Sequence, residues 1–260
     1  MEEVRGSSPL GPTIEFMHKN ISKLVYGFSQ VSDGNMSFVY GDEAQVAKAR
    51  SSFLRKQGLQ ADNSVFIKLE HGKKIYTVTA KDQGNLIDPS LQDKLIGDGL
   101  ITNQAGLTLF LVVADCIGAV IYDPANQVVG LIHAGRKGVE QNILAEAVGQ
   151  MESAYGSSPS ELKLITSPSI SANSYMFDSS DAIDTKFWGN DLSMGEDGKW
   201  HMDIQSKFAK QALQCGLQKD NISIDSTDTF TDKNYFSHRR SMATGEPEGR
   251  FAVFAQISPN

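Results

Sequence analysis

The chain has 260 residues and a formal net charge of −7 at pH 7, with 40% hydrophobic and 21% charged residues. This apolar content is typical of a globular protein with a substantial core, and the length favours one large domain over two. The acidic balance argues against a protein that binds nucleic acid or a membrane surface. No apolar run approaches the roughly 20 residues that a membrane-spanning helix needs.

The beginning of the chain is polar and rich in Gly, Ser and Pro. We expect residues 1–20 to form a flexible N-terminal tail and residues 21–260 to form a single domain. No segment near the start resembles a signal sequence. The two cysteines, Cys116 and Cys215, therefore predict reduced thiols in a cytoplasmic protein.

Apolar patterning and turn residues divide the first eighty residues into short strands around one helix. Acidic residues at the start of that helix suit its dipole, and Gly58 suits its end. Residues 81–97 are polar and predict a loop. We predict strands over Ile21–Phe28 and Met36–Tyr40, a helix from Gly41 to Gln57, and a strand over Val65–Leu69 with its continuation over Ile75–Thr79.

Two apolar runs in the middle of the chain each end at a residue that can bind a metal or act as a nucleophile. Leu109–Ala114 leads to Asp115 and Cys116, and Val128–Ile132 leads to His133 and a small basic turn over 134–138. These runs predict neighbouring buried strands with a thiol and an imidazole at their ends.

The rest of the chain alternates helices, short strands and loops. We predict helices over Val139–Tyr155 and Met202–Leu217, strands over Leu162–Ile165, Ile222–Ile224 and Phe251–Ile257, and loops over 166–171 and 181–199. There is no repeat and no clear linker. The sequence thus predicts a mixed α/β fold, in which one domain has a multi-stranded mixed β core flanked by helices.

Three residues could share one metal ion. His71, Cys116 and His133 each follow an apolar, strand-like run and precede a glycine within two residues. One Cys and two His form a known ligand set for catalytic zinc, with one position open. They are far apart in the sequence, so the fold would have to assemble the site. The pattern alone favours a buried, inert thiol and two hydrogen-bonded histidines.

Basic residues in two turns could hold an anion. His238, Arg239 and Arg240 follow one another, and Arg136 with Lys137 precede a predicted helix, where backbone N–H groups attract anions. A solvated basic turn is the alternative interpretation of both groups. By pattern alone, Arg50 is a surface residue of the first helix, and Asp115 is a strand-end carboxylate that orients a neighbour.

An ordered set of motifs resembles one known family. The segments EHGKKIYTV (70–78), DGLIT (98–102), ADCIGAVIYDP (114–124), GLIHAGRKG (130–138), SPSISANSY (167–175) and YFSHRR (235–240) resemble the YfiH-like laccase-domain proteins. These are also called multicopper polyphenol oxidoreductases and are now regarded as purine nucleoside phosphorylases. The likeness extends from about residue 26 to residue 257.

The resemblance implies a zinc ion held by His71, Cys116 and His133 at the catalytic centre, with copper as the alternative metal. It implies phosphorolysis of adenosine, inosine, guanosine or methylthioadenosine, together with deamination of adenosine. Cations for inorganic phosphate and substrate would come from Arg50, Arg136, Lys137, His238, Arg239 and Arg240. We expect a monomer or a homodimer.

The chain departs from the family pattern beside these residues. The usual HAGWRG turn has Arg136 and Lys137 in place of Trp and Arg, and Gly118 replaces a proline. Met176 stands in place of a glutamate. The other changes are Ser167 and Pro168 for Gly and Pro, and Ser226 and Thr227 for Cys and Thr. Metal binding is therefore better supported than any one activity.

Three alternatives to a zinc enzyme remain at this point. A copper-dependent polyphenol oxidase needs many histidine ligands, and the chain has five histidines. A metal-free enzyme such as a deamidase could use Cys116 as nucleophile and His133 as base. The changed residues around the site also suit a paralogue without catalytic activity.

Overall fold

A computed structural model describes residues 23–181 and 183–259. The predicted tail over 1–20 and the first two residues of the predicted strand over Ile21–Phe28 lie outside these ranges. The strands are β1 (Leu24–Phe28), β2 (Ser64–Phe66), β3 (Ile75–Thr77), β4 (Gly99–Thr102), β5 (Thr108–Val113), β6 (Ile117–Asp123), β7 (Val128–Ala134), β8 (Lys163–Thr166), β9 (Met176–Phe177), β10 (Leu192–Met194), β11 (Trp200–Met202), β12 (Ile222–Ser223) and β13 (Phe251–Ile257). The helices are α1 (Glu43–Lys56), α2 (Arg136–Glu140), α3 (Ile143–Tyr155), α4 (Thr185–Trp188), α5 (Ile204–Gln214) and α6 (His238–Thr244).

Two sheets pack face to face between layers of helices. One sheet has the order β1-β13-β5-β2, and the other has the order β12-β8-β6-β7-β4-β3. Helix α1 covers the outer face of the four-stranded sheet, and α2, α3 and α5 cover the outer face of the six-stranded sheet. A third, small sheet has the order β10-β11-β9.

The central strands are apolar on both faces because each face meets another layer. In β13, Val253 and Ala255 pack between the two sheets, whereas Ala252 and Phe254 face helix α1. Gly118 lies where the sheets approach most closely, since a Cβ atom there would be 2.7 Å from a methyl carbon of Val253. The predicted mixed α/β fold with a multi-stranded core is confirmed.

Two strand predictions in the first half of the chain are wrong. Residues 36–40 form turns and irregular structure, because the backbone of this segment bonds to loops and side chains rather than to a strand. The Met36 N–H donates to the Arg250 carbonyl, and the Met36 carbonyl accepts from Arg50. Strand β3 does not continue β2, since the two strands belong to different sheets.

Two predictions in the second half need correction. The predicted helix over Val139–Tyr155 is divided between α2 and α3, because Asn142 adopts the left-handed conformation (φ 55°) and caps the second helix. The predicted loop over 181–199 contains α4 and β10. Within the described residues, no helix is long and apolar enough to cross a membrane.

Candidate metal centre and active site

The connection between the two large sheets places Cys116 beside His133. Strand β5 ends at Val113 in one sheet, and β6 begins at Ile117 in the other. Gly118 of β6 pairs with His133 of β7. Cys116 directly precedes β6, so its thiol lies close to the His133 imidazole. The strands that carry the two residues were predicted to be neighbours, but β5 and β7 lie in different sheets and β6 is the true neighbour of β7.

His71 completes the cluster from a loop that follows β2. The ligand atoms of His71, Cys116 and His133 all lie within 4.8 Å of one another. The ring centroids of the two histidines are 4.8 Å apart with an interplanar angle of 85°. His71 (φ 62°) and Asp115 (φ 76°) both adopt the left-handed conformation. Non-glycine residues pay about 1–3 kcal/mol for such backbone, which is therefore often found at functional sites.

Asp98, which sequence reasoning left without a role, holds both histidines. Its Oδ1 atom accepts from the His71 backbone N–H (2.9 Å) and lies 2.8 Å from His133 Nδ1. Its Oδ2 atom accepts from the Gly72 N–H at 2.6 Å. The carboxylate is completely buried. Because it accepts the Nδ1 proton of His133, it leaves Nε2 as the atom available to a metal.

Charges in the cluster favour a thiolate. Burial alone would raise the pKa of the Cys116 thiol, but the positive charge of His133 and hydrogen bonds from both histidines lower it to about 6. Burial likewise opposes protonation of His133, but the Cys116 thiolate and Asp98 raise the pKa of His133 to about 9. Thiolates, not thiols, bind metals.

Two of the three donor atoms lie close to Gly135. A Cβ atom at this glycine would be 2.9 Å from Cys116 Sγ and 3.4 Å from His133 Nε2. The absent side chain leaves space beside both donors. A thiolate, an imidazole with its other nitrogen fixed by a carboxylate, and a partly exposed second imidazole fit a zinc or copper ion.

The cluster lies in the wall of a cavity of about 450 Å³. This volume is typical of pockets for small molecules. Apolar side chains line part of the cavity, among them Val112, Ile170 and Ile204. Its charged lining is Arg136, Lys137, Arg239 and Arg250 against the single carboxylate of Asp115. A cationic cavity in a chain with net charge −7 suits an anionic ligand.

Arg239 is fixed to the cavity wall through Asp115. The Asp115 carboxylate accepts from the Arg239 backbone N–H and from the Thr229 hydroxyl, both at 2.7 Å. The Arg239 guanidinium lies 5.3 Å from the ring centroids of Tyr175 and Phe177, and its Nη1 donates to the Met176 carbonyl. Because a backbone atom of Met176 makes this contact, the contact does not depend on the glutamate that the family usually has at that position.

Arg136, His238 and Lys137 also line the cavity. Arg136 Nη1 is 3.2 Å from Glu140 Oε1, which also accepts from the Trp188 indole N–H. His238 is half-exposed and bonds Glu248 through Nδ1. Among the described residues, Lys137 Nζ has neither an ion pair nor a hydrogen-bond partner.

Two of the six proposed phosphate or substrate residues do not line this cavity. Arg50 is a completely buried residue of helix α1, and it donates to the Met36 and Leu86 carbonyls and to the Gln92 side chain. Arg240 donates to the carboxylate of Glu246 and to backbone carbonyls of the preceding loop. Each of these guanidinium groups connects separate segments of the chain through its hydrogen bonds.

Curated relatives cover most of the chain. It is 29% identical over 207 residues to the purine nucleoside phosphorylase YlmD of Bacillus subtilis, with 78% of this chain and 74% of that protein covered. It is also 29% identical over 218 residues to a purine nucleoside phosphorylase of Corynebacterium glutamicum, with 83% and 85% covered.

Solved structures share the fold. YlmD from Geobacillus stearothermophilus superposes with a TM-score of 0.83 at 24% identity, with 91% of this chain and 93% of that chain covered. The Bacillus licheniformis protein YfiH gives a TM-score of 0.81 at 23% identity, with 90% and 93% covered. The family model described as multi-copper polyphenol oxidoreductase laccase matches residues 19–258. The chain therefore belongs to this family of YfiH-like laccase-domain proteins.

Proposed function

We propose that this chain is a zinc-dependent purine nucleoside phosphorylase that acts in the cytoplasm as a monomer or homodimer. The observation that carries the proposal is the position of the His71–Cys116–His133 cluster in the wall of a cation-lined cavity of about 450 Å³. The names of the relatives in Bacillus subtilis and Corynebacterium glutamicum support the reaction. The two free cysteines suit a reducing compartment.

Zinc suits the donor set best. One thiolate and two imidazoles are a ligand set of catalytic zinc, which keeps a fourth position for substrate. Asp98 would hold His133 in the correct tautomer, as carboxylates do in many zinc sites. When bound, zinc would supply a Lewis acid at the cavity wall.

Cations of the chain would hold inorganic phosphate. Arg239 and Lys137 are the best placed, because Arg239 is fixed by Asp115 and Met176, and Lys137 lines the cavity without a partner among the described residues. Arg136 would add positive charge at the same wall, and His238 would add a ring nitrogen that can bond phosphate or substrate. Phosphate accepts strong charge-assisted hydrogen bonds from such groups.

The reaction joins phosphate to the ribose. An oxygen of phosphate forms a bond to C1′ as the bond from C1′ to the purine nitrogen breaks, and the purine leaves with the electron pair and takes up a proton. The products are the free base and a sugar 1-phosphate, which is ribose 1-phosphate from adenosine, inosine or guanosine and 5-methylthioribose 1-phosphate from methylthioadenosine. Arg239 and Lys137 would orient the attacking oxygen, and the apolar wall would bind the purine. Adenosine, inosine, guanosine and methylthioadenosine are the proposed substrates.

Deamination of adenosine is a second candidate activity. Three protein ligands leave one coordination position of a tetrahedral ion free, and the cluster opens toward the cavity. Water in place of phosphate would then be the second substrate. Release of ammonia with inosine as the product distinguishes this reaction from phosphorolysis.

Other functions have weaker support. Oxidation of phenols by several copper ions needs more ligands, and His71, Cys116 and His133 are the one group of three found in residues 23–181 and 183–259. A metal-free deamidase would use the close pair of Cys116 and His133 as nucleophile and base. The altered turn at Arg136 and Lys137 suits a non-catalytic paralogue.

Product analysis tests the proposal. The four nucleosides are incubated with and without inorganic phosphate, and free base, sugar 1-phosphate and ammonia are measured. We expect base and the corresponding sugar 1-phosphate in equal amounts, only with phosphate. No turnover of any of the four by protein that contains one zinc per chain would contradict the proposal. Turnover of an amide substrate by metal-free protein would support the deamidase.

A further inference from the structure

A tyrosine outside the proposed set of site residues also faces the cavity. Tyr175 lines it, and its ring packs beside Arg239. Tyr175 thus shares one cavity with Cys116 of the metal cluster and with the cations Arg136 and Arg239. A bound nucleoside would lie in this same space.

The ring is held from several sides. Its centroid is 4.8 Å from that of Phe177 and 5.3 Å from the Arg239 guanidinium carbon. The Tyr175 backbone N–H donates to the Ser171 carbonyl, and the Tyr175 carbonyl accepts from the Met202 N–H. The hydroxyl is therefore presented in one place before any ligand arrives. Such fixed donors are the ones that contribute most to binding and catalysis.

The Tyr175 hydroxyl makes no hydrogen bond within the part of the chain that the structure describes. No donor or acceptor within residues 23–181 and 183–259 pairs with Tyr175 Oη. A largely buried tyrosine usually finds a partner for its O–H group. Here the open direction is the cavity, which points to a partner on the ligand.

We propose that Tyr175 is a substrate-contacting residue that donates a hydrogen bond from its hydroxyl to an acceptor atom of the nucleoside. This inference rests on the proposed function. The acceptor is either a ring nitrogen of the purine, which gains negative charge as the glycosidic bond breaks, or a hydroxyl oxygen of the ribose. The proton stays on the tyrosine, because burial and then the nearby thiolate raise the pKa of Tyr175 to about 12. Tyr175 is thus a donor at every working pH and not a base.

The variant Tyr175→Phe tests the proposal, because it keeps the ring and its contacts and removes only the hydroxyl. We expect kcat/KM for adenosine and inosine to fall about 10- to 100-fold, with zinc content and the KM for phosphate unchanged. A fall in kcat assigns the acceptor to the leaving base, and a rise in the nucleoside KM assigns it to the ribose. The matched control is Tyr26→Phe in β1. The Tyr26 hydroxyl has no hydrogen-bond partner among the described residues and Tyr26 does not line the cavity, so we expect this variant to leave the kinetics unchanged.

Two results would overturn the proposal. One is Tyr175→Phe kinetics within twofold of the parent protein, and the other is an effect confined to the KM for phosphate, which would mean that Tyr175 acts only through Arg239. Calorimetric binding of adenosine and inosine separates this proposal from the proposed function. Weaker binding by Tyr175→Phe in a protein without turnover would support the contact and contradict the phosphorylase. If the parent protein neither binds nor cleaves these nucleosides, both proposals are wrong.

Discussion

The two walls of the cavity are built in different ways. The metal wall (His71, Cys116 and His133) is tied into the sheets by short bonds from both histidines to the completely buried carboxylate of Asp98, which does not itself line the cavity. The cation wall (Arg136, Lys137, His238 and Arg239) lies on short helices, and the buried carboxylate of Asp115 holds the Arg239 backbone N–H. The family's motif residues are retained in the first wall, whereas in the second wall Arg136 and Lys137 differ from the family's turn and only His238 and Arg239 match its motif.

This difference suggests which properties of the protein can vary independently. Moving a metal ligand would disturb the packing of β6 against β7, since Cys116 and His133 flank that pair. Exchange of Arg136 or Lys137 changes charge at the cavity surface and leaves the sheets intact. We therefore expect metal binding to be the robust property and substrate preference the adjustable one.

The largest effect should come from the metal wall. In Cys116→Ala the thiolate is lost and the remaining two histidines cannot retain a catalytic zinc, so we expect loss of zinc and a fall in turnover of about 10³-fold or more. Metal analysis and product release measure the two effects. Cys215→Ala is the matched control, because that free thiol lies at the end of α5 outside the cavity. Zinc retained in Cys116→Ala would contradict the assignment of the ligands.

A smaller effect on the same wall should come from Asp98→Asn. The amide can still accept a bond but has no charge to stabilise the His133 N–H, so we expect zinc affinity to fall about 10- to 100-fold. Competition with a chelator measures this. The control is Asp123→Asn, a completely buried carboxylate in the turn between β6 and β7, which should lower stability without changing zinc affinity. If Asp98→Asn and Asp123→Asn bind zinc equally tightly, Asp98 only supports the loop that contains His71 and Gly72.

The cation wall should respond in phosphate use instead of metal content. Arg239→Ala removes a fixed guanidinium, and we expect the KM for phosphate to rise about tenfold or more while zinc content is unchanged. Arg55→Ala, at an exposed position of α1, is the control and should not alter the KM. An unchanged KM in Arg239→Ala would move the phosphate site away from this wall.

The smallest effect concerns the loop that carries Tyr175. The Asp228 carboxylate accepts from the hydroxyls of Ser171 and Ser174, and these bonds keep its pKa below the usual value of 3.8 although burial opposes this. A depressed pKa contributes stability above pH 4 that is lost as the pH falls through the folded-state value. We expect Asp228→Asn to lower the free energy of unfolding by about 1 kcal/mol relative to the parent protein at pH 7. Below pH 4 we expect the difference in free energy of unfolding between the two proteins to be smaller. Denaturant unfolding at pH 7 and pH 3 measures it, and an equal difference at both pH values would contradict the charge argument.

Local sequence patterns predicted much of the fold. Apolar runs over Leu109–Ala114 and Val128–Ile132 correspond to β5 and β7, and the cap at Asp42 marks the start of α1. The pattern could not show that the chain crosses from one sheet to the other after β5, because a fully buried strand has the same sequence in either sheet. The sequence pattern also did not reveal the left-handed Asn142 that divides the predicted helix. The strand predicted over 36–40 does not form because long-range bonds to Arg50 and Arg250 override the local preference.

The candidate site was predictable where a motif names the residue. The positions of His71, Cys116 and His133 after apolar runs singled them out, and the family resemblance implied that they bind one metal, whereas their proximity is a property of the fold. Asp98 lies 27 residues after His71 and 35 before His133, so no local spacing connects them. Arg50 shows the opposite problem: a helical arginine read as a surface residue by pattern is buried among aromatic rings.

Zinc titration of metal-free protein tests the central claim most directly. Zinc is added in steps while phosphate-dependent release of base from inosine or adenosine is measured. The account predicts that activity rises with added zinc and saturates at one zinc per chain, and that Cys116→Ala shows neither tight zinc binding nor activity. Activity that is independent of zinc, or that needs several metal ions per chain, would contradict it.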